Sequence, residues 1–186
     1  MEASALLQAC VRMESGAKQG LFDFFKDRLM GMCLRYAKNE QQADEILAES
    51  SVLVFSTIKN IPQDVTFDNW LKTCLVRTAI VILQRNQQEY KIASTANACK
   101  VAIQQDRIMD EEIAMSMEDK DVLKAIQALS PSYRLVVNMY LLDNYSYKNI
   151  AEKLDVAEAT IKMNFEKAMH QFRKNIVQLT TASHVQ

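Results

Sequence analysis

Three glycines and two prolines are all that the 186 residues contain. Tight turns of β structure draw on glycine's left-handed conformations and proline's fixed φ. A chain this poor in both is expected to fold as long helices rather than as turn-rich sheet. Apolar residues make up 49% of the sequence, enough for a packed core, and the length allows one or two small domains. Lys+Arg number 22 against Asp+Glu 23, a net charge of −1. A self-sufficient DNA binder usually carries a basic face, because phosphate neutralisation supplies much of its affinity. The balance here argues against strong free-standing DNA binding, while leaving room for a local basic patch. Apolar stretches are regularly broken by charge, so no transmembrane helix and no membrane partner are expected. The N-terminus, with Glu2 and no basic run, does not read as a signal peptide. Cys10, Cys33, Cys74 and Cys99 stand far apart, and His170 and His184 lack metal-ligand spacing. Reduced thiols in a cytoplasmic protein, with no metal and no cofactor, are the expectation.

The first half reads as helices throughout. Ala3 to about Met13 is short and amphipathic, and Ser15-Gly16 breaks it. Leu21, Phe22, Phe25, Leu29, Met32, Cys33 and Tyr36 then form an apolar stripe at helical spacing. Asn39 is placed to cap the next helix, with Gln42 three positions on. That helix carries Ala43, Ile46, Leu47, Leu53, Val54, Phe55 and Ile58, and Pro62 closes it. A further helix, Asp68 to about Asn86, is apolar through its middle and is expected to be buried on most sides. From Ile92 to Glu118 the pattern weakens into small residues and then Asp106, Asp110, Glu111, Glu112 and Glu118, as in a linker. The expected organisation is all-α: a helical domain over 1–91, a flexible acidic linker over 92–119 and a second helical domain over 120–186.

The second domain holds the most specific signal. Ser130-Pro131 restarts a helix, with serine as cap and proline at the first position. Ser146 is placed to cap a short helix with Ile150, Ala151 and Leu154 on one side. Asp155-Val156 interrupts the period, and Ile161, Phe165, Ala168 and Phe172 follow at i, i+4, i+7 and i+11. Two short helices joined by a tight turn form a helix-turn-helix, whose second helix can enter a DNA major groove. An ordinary helical hairpin is the competing explanation of this segment. No Ser/His/Asp order, Gly-rich phosphate loop or metal cluster is present, so the sequence does not read as an enzyme.

Residue strings in both halves resemble the two-domain extracytoplasmic-function sigma factors of the sigma-70 family, with a flavour closest to Bacteroidetes members. Gly31-Met-Cys-Leu-Arg-Tyr-Ala-Lys-Asn39 and Ala43-Asp-Glu-Ile-Leu47 are similar to the helix pair that docks on the RNA polymerase clamp. Phe67-Asp-Asn-Trp-Leu71 and Arg77-Thr-Ala-Ile80 are similar to the helix that melts and reads the minus-ten element. Leu129-Ser-Pro-Ser-Tyr-Arg134, Tyr145-Ser-Tyr-Lys-Asn-Ile-Ala151 and Ala159-Thr-Ile-Lys162 are similar to the domain that reads the minus-thirty-five element. The resemblance implies a transcription initiation factor with core RNA polymerase and promoter DNA as partners. An anti-sigma factor is a further partner that it leaves open.

Carried over by position, Asp44, Glu45 and Glu49 are candidates for polymerase docking. Lys72, Arg77, Arg85 and Asn86 are candidates for single-strand or phosphate contact, and Trp70 either stacks on a base or, as preferred, fills the core. Thr160, Asn164 and Lys167 are candidates for the groove-facing surface, with Arg134 and Lys162 on flanking phosphates. Several family positions differ. Thr73, Arg77, Val81 and Gln84 stand where the family commonly has a basic residue, Asn, Asp and a basic residue. Asn149 replaces the usual capping Glu, Ala159 a usual Gly, and Met163 and Met169 stand where Ser and Arg are usual. Core positions survive better than DNA-facing ones. Weak autonomous promoter reading is therefore expected, helped by a recruiting partner: a conventional activator or, more specifically, an RNA-guided DNA-binding effector. The alternative is a sigma-like interaction protein that binds polymerase or a regulator without initiating transcription. A generic helix-turn-helix repressor would explain only the second domain.

Overall fold

The computed structural model describes residues 3–85 and 119–183, and every regular element among them is helical. They fall in two compact units, within Met1–Asn86 and Gln87–Gln186. The Ile92–Glu118 linker assignment and Asn86 lie outside the described residues.

The first unit packs α1 (Ala3–Val11), α2 (Ala17–Tyr36), α3 (Glu40–Thr57) and α4 (Phe67–Arg85), with a single tight turn of helix at Ile58–Asn60 before Pro62. Met13 and Gly16 adopt positive φ, 60° and 76°, and turn the chain between α1 and α2. Glycine takes this conformation without steric cost; Met13 takes it at the helix end, where Glu14 N–H donates to Ala9 O at 3.0 Å. The expected stripe of α2 is its buried face: Leu21, Phe25, Leu29, Cys33 and Tyr36 are all sealed from solvent. Asn39 caps α3 by accepting from Gln42 N–H at 2.9 Å, and Gln42 Oε1 reaches back to accept from Lys38 N–H at 2.9 Å. This is the reciprocal logic of a capping box, displaced by one residue. α4 buries Trp70, Leu71, Cys74, Leu75, Val76, Ala79, Ile80, Ile82 and Leu83. Trp70 is thus a core residue, with its ring 5.9 Å from that of Phe67.

The second unit is made of α5 (Asp119–Gln127), α6 (Pro131–Val137), α7 (Tyr147–Leu154) and the long α8 (Glu158–Ser183). Pro131 opens α6 as expected, but Ser130 makes no side-chain cap; its hydroxyl lies 3.5 Å from that of Ser132. Beyond Val137 the helix widens into a π-type turn over Asn138–Leu142, which periodicity did not foretell. Asp143 N–H donates to Asn138 O at 2.9 Å, and Asn144 at φ 58° reverses the chain. Tyr140 of the wide turn stacks on Tyr147 of α7, ring centroids 4.2 Å apart, and Phe165 of α8 closes on Tyr140 edge-on at 4.8 Å. These rings tie the wide turn to both α7 and α8.

Candidate nucleic-acid interface

The helix-turn-helix is built from local chemistry. Ser146 Oγ accepts from Asn149 N–H at 3.1 Å and starts α7. Asp155, at φ 55°, stops it, and Val156 N–H donates to Ala151 O at 3.1 Å. A short polar residue tolerates this left-handed position better than most, so the turn needs no glycine. Ile150, Ala151 and Leu154 face inward against α8, where Ile161 and Ala168 are fully buried.

The rotation of α8 decides which residues it can offer to DNA, and it corrects two expectations. Asn164 is only 1% exposed, and neither of its side-chain polar atoms has a hydrogen-bond partner among the described residues. On a helix wheel at about 100° per residue it lies about 60° from Ile161 and about 40° from Ala168, inside the apolar arc. It therefore cannot face a groove in this arrangement. Thr160 and Lys167 lie half-buried on the border of that arc, whereas Lys162 is exposed as expected. The outward stripe is Lys162, Glu166, His170 and Lys174, with Ala159 at its start. Glu166 and His170 were missed, although charge spaced four residues on from Lys162 was the available signal. Lys162 Nζ sits 3.1 Å from Glu158 Oε1 and 5.9 Å from the Tyr147 ring centre. Tyr147's hydroxyl is pushed up to about 12 by burial, then by Tyr140 and the nearby charge of Glu166.

Arg134 is the second correction. It is 3% exposed, and its guanidinium donates through Nη2 to Gln127 O at 2.8 Å and Leu129 O at 2.7 Å, and through Nε to Ile126 O at 3.3 Å. Those carbonyls close the end of α5, so the cation is committed to the fold and not to a phosphate.

In the first unit Asp44 and Glu45 stand exposed on α3, with Gln41, Ala48 and Val52. Glu49 is turned toward α4, where its Oε1 lies 2.7 Å from Arg85 Nη1. A residue assigned to polymerase and a residue assigned to DNA thus neutralise one another. Arg77 is exposed and lines a shallow groove with Glu49, Val52, Leu53, Ser56, Thr78 and Val81. Lys72 is half-buried. At about 100° per residue Lys72 lies about 140° around α4 from both Arg77 and Arg85, so the three do not form a shared basic patch. Cys10, Cys33 and Cys74 are buried free thiols; burial pushes Cys33 up to about 12. Among the described residues no group of metal-ligating side chains converges, and no helix is long and apolar enough to cross a membrane.

The described residues are helical in every regular element and end in a capped helix-turn-helix, an arrangement compatible with DNA binding. Residues 119–171 match the family described as Sigma-70, region 4. The chain is 22% identical to the ECF RNA polymerase sigma factor SigW of Bacillus subtilis (strain 168), over 84% of this chain and 87% of that protein. It is 25% identical to the RNA polymerase sigma factor SigV of the same organism, over 95% and 92%. Its fold is similar to the sigma factor RpoE, solved in complex with the anti-sigma factor NepR from Bartonella quintana. That likeness has a TM-score of 0.50 at 14% identity, covering 87% of this chain and 97% of that one. These likenesses, one over residues 119–171 and the others over most of the chain, support its resemblance to the extracytoplasmic-function sigma factors of the sigma-70 family.

Proposed function

We propose that this chain binds core RNA polymerase in the cytoplasm and directs it to start transcription at promoter DNA. The observation that carries the proposal is the coincidence of the region 4 match at 119–171 with the capped helix-turn-helix of α7 and α8. Residues 1–91 serve polymerase docking and minus-ten contact, 92–119 join the two domains, and 120–186 contact the minus-thirty-five element. Asp44 and Glu45, exposed on α3, offer negative charge to a basic polymerase surface. Lys72 and Arg77 on α4, together with Lys162 on α8, supply the positive charge for DNA. An anti-sigma factor, of the kind solved with the RpoE relative, is a further partner. Purified core polymerase is the test: the Asp44→Lys, Glu45→Lys double variant should bind it several-fold more weakly at unchanged helicity. No complex with the parent chain at low salt would overturn the proposal.

The second unit favours a recruiting element. Arg134 of α6 is spent inside the fold, and Asn164 of α8 is buried. Loss of two or three base or phosphate contacts costs several kcal/mol of the roughly 4–10 kcal/mol separating specific from non-specific binding. A recruiting partner bound upstream would turn weak DNA contact into an effectively intramolecular one. Strong sequence-specific initiation by polymerase and this chain alone would sink that part.

A further inference from the structure

We infer that Glu166 is a base-reading residue of α8 that selects cytosine; this rests on the proposed DNA contact of the second unit. Lys162, Glu166 and His170 form the exposed stripe of α8, whereas Asn164 is buried. In a helix-turn-helix the early turns of the second helix are the part that reaches base edges. Glu166 begins the third turn after Glu158, four residues beyond Lys162. That spacing is about 6 Å along the axis, close to two base-pair steps.

An exposed glutamate is ordinarily half of an intrahelical ion pair. Here Lys162, the cation four residues earlier, is engaged by Glu158 at 3.1 Å instead. Lys162, one turn before Glu166 on the same exposed stripe, has its Nζ 5.9 Å from the Tyr147 ring centre, so the stripe runs beside the start of α7. A carboxylate in that position works against affinity, because it approaches the phosphates of both strands. It regains that loss only where the DNA offers it a donor.

The major groove narrows the choice. Ionised carboxylate oxygens only accept hydrogen bonds. Guanine presents N7 and O6 and thymine presents O4 and a methyl group, so neither has a donor to give. Cytosine offers its N4 amino group. Adenine offers N6, but its adjacent N7 acceptor faces the second carboxylate oxygen and repels it. Glu166 therefore accepts from cytosine N4 and penalises the other three bases, a selectivity made mostly by exclusion. Lys162, which only donates, suits a phosphate or the O6/N7 edge of guanine within about two base pairs.

The test uses the full chain assembled with core polymerase, incubated at about 50 mM salt with a duplex library randomised upstream of a fixed start region. Bound DNA is sequenced. The parent should enrich cytosine about tenfold at one position. Glu166→Gln should move that preference to adenine, whose N6/N7 edge matches an amide. Glu166→Ala should abolish it, leaving the four bases equally represented at that position. Circular dichroism of each variant checks that α8 is intact. A complex that enriches no cytosine, or a profile that Gln and Ala leave unchanged, overturns the role of Glu166 alone. Failure of the parent to join core polymerase overturns the proposed function and this role with it.

Discussion

The two units reach stability by different routes. In the first, α2, α3 and α4 run for 20, 18 and 19 residues and meet along apolar stripes. In the second, α5, α6 and α7 have only 9, 7 and 8 residues. Every helix end leaves up to four backbone groups without a partner, so short helices carry proportionally more of them. The second unit meets that demand with buried polar side chains. Arg134 closes the end of α5, Asn138 Nδ2 donates to Arg134 O at 2.8 Å, and Asn175 Nδ2 donates to Ala125 O at 3.1 Å. The first unit's buried polar residues are smaller or local: Gln42, Ser50, Ser51 and Thr78. Both units bury an apolar core, and the second adds long-reach bonds from buried side chains to helix-end carbonyls.

Four changes would break or sharpen that contrast. The largest effect is expected from Phe25→Ala, which empties a fully buried site in the first unit and should cost about 3–5 kcal/mol. Hydrogen exchange should accelerate across α2–α4 and leave α5–α8 protected. Next comes Arg134→Met, which keeps the apolar stem but strands the carbonyls at the end of α5. It should cost about 3 kcal/mol in the second unit only. A variant whose DNA binding fell while exchange in α5–α8 stayed slow would return Arg134 to the phosphates. Asn164→Leu should act in the opposite direction. Replacing a buried amide that lacks partners by an isosteric hydrocarbon should stabilise the second unit by about 1–2 kcal/mol, read as a raised denaturant midpoint. Destabilisation would mean that this amide is satisfied after all. The smallest effect at neutral pH belongs to Cys33. Its raised folded pKa favours the thiol, so stability is fully present below about 9 and falls as pH rises from there toward about 12. Cys33→Ser should flatten that decline in pH-dependent unfolding curves.

Much of this architecture was legible because its causes are local. The stripe from Leu21 to Tyr36, the Asn39 cap and the Ser146 cap each follow from neighbours within a few residues. The functional surfaces depended on rotation, which is global. Thr160, Asn164 and Lys167 share a side in the sequence, yet the packing of Ile161 and Ala168 turns Asn164 inward. Arg134 looked like a surface cation because nothing nearby in sequence announces three carbonyls waiting at the end of α5. The Glu49–Arg85 pair spans two helices and was likewise invisible to a linear pattern.

The wide turn at Asn138–Leu142 also has a consequence for phase. A π-type turn inserts one residue without adding an ordinary step, so the helix beyond it is advanced by about 100°. Tyr140, inside the turn, stacks on Tyr147, while Leu141 and Leu142 are left 45% and 44% exposed. Deleting one residue there would restore a regular helix and misalign everything after it, like a gear reassembled one tooth out. The irregularity is thus a timing element of the chain: it sets the angle at which the helix-turn-helix begins.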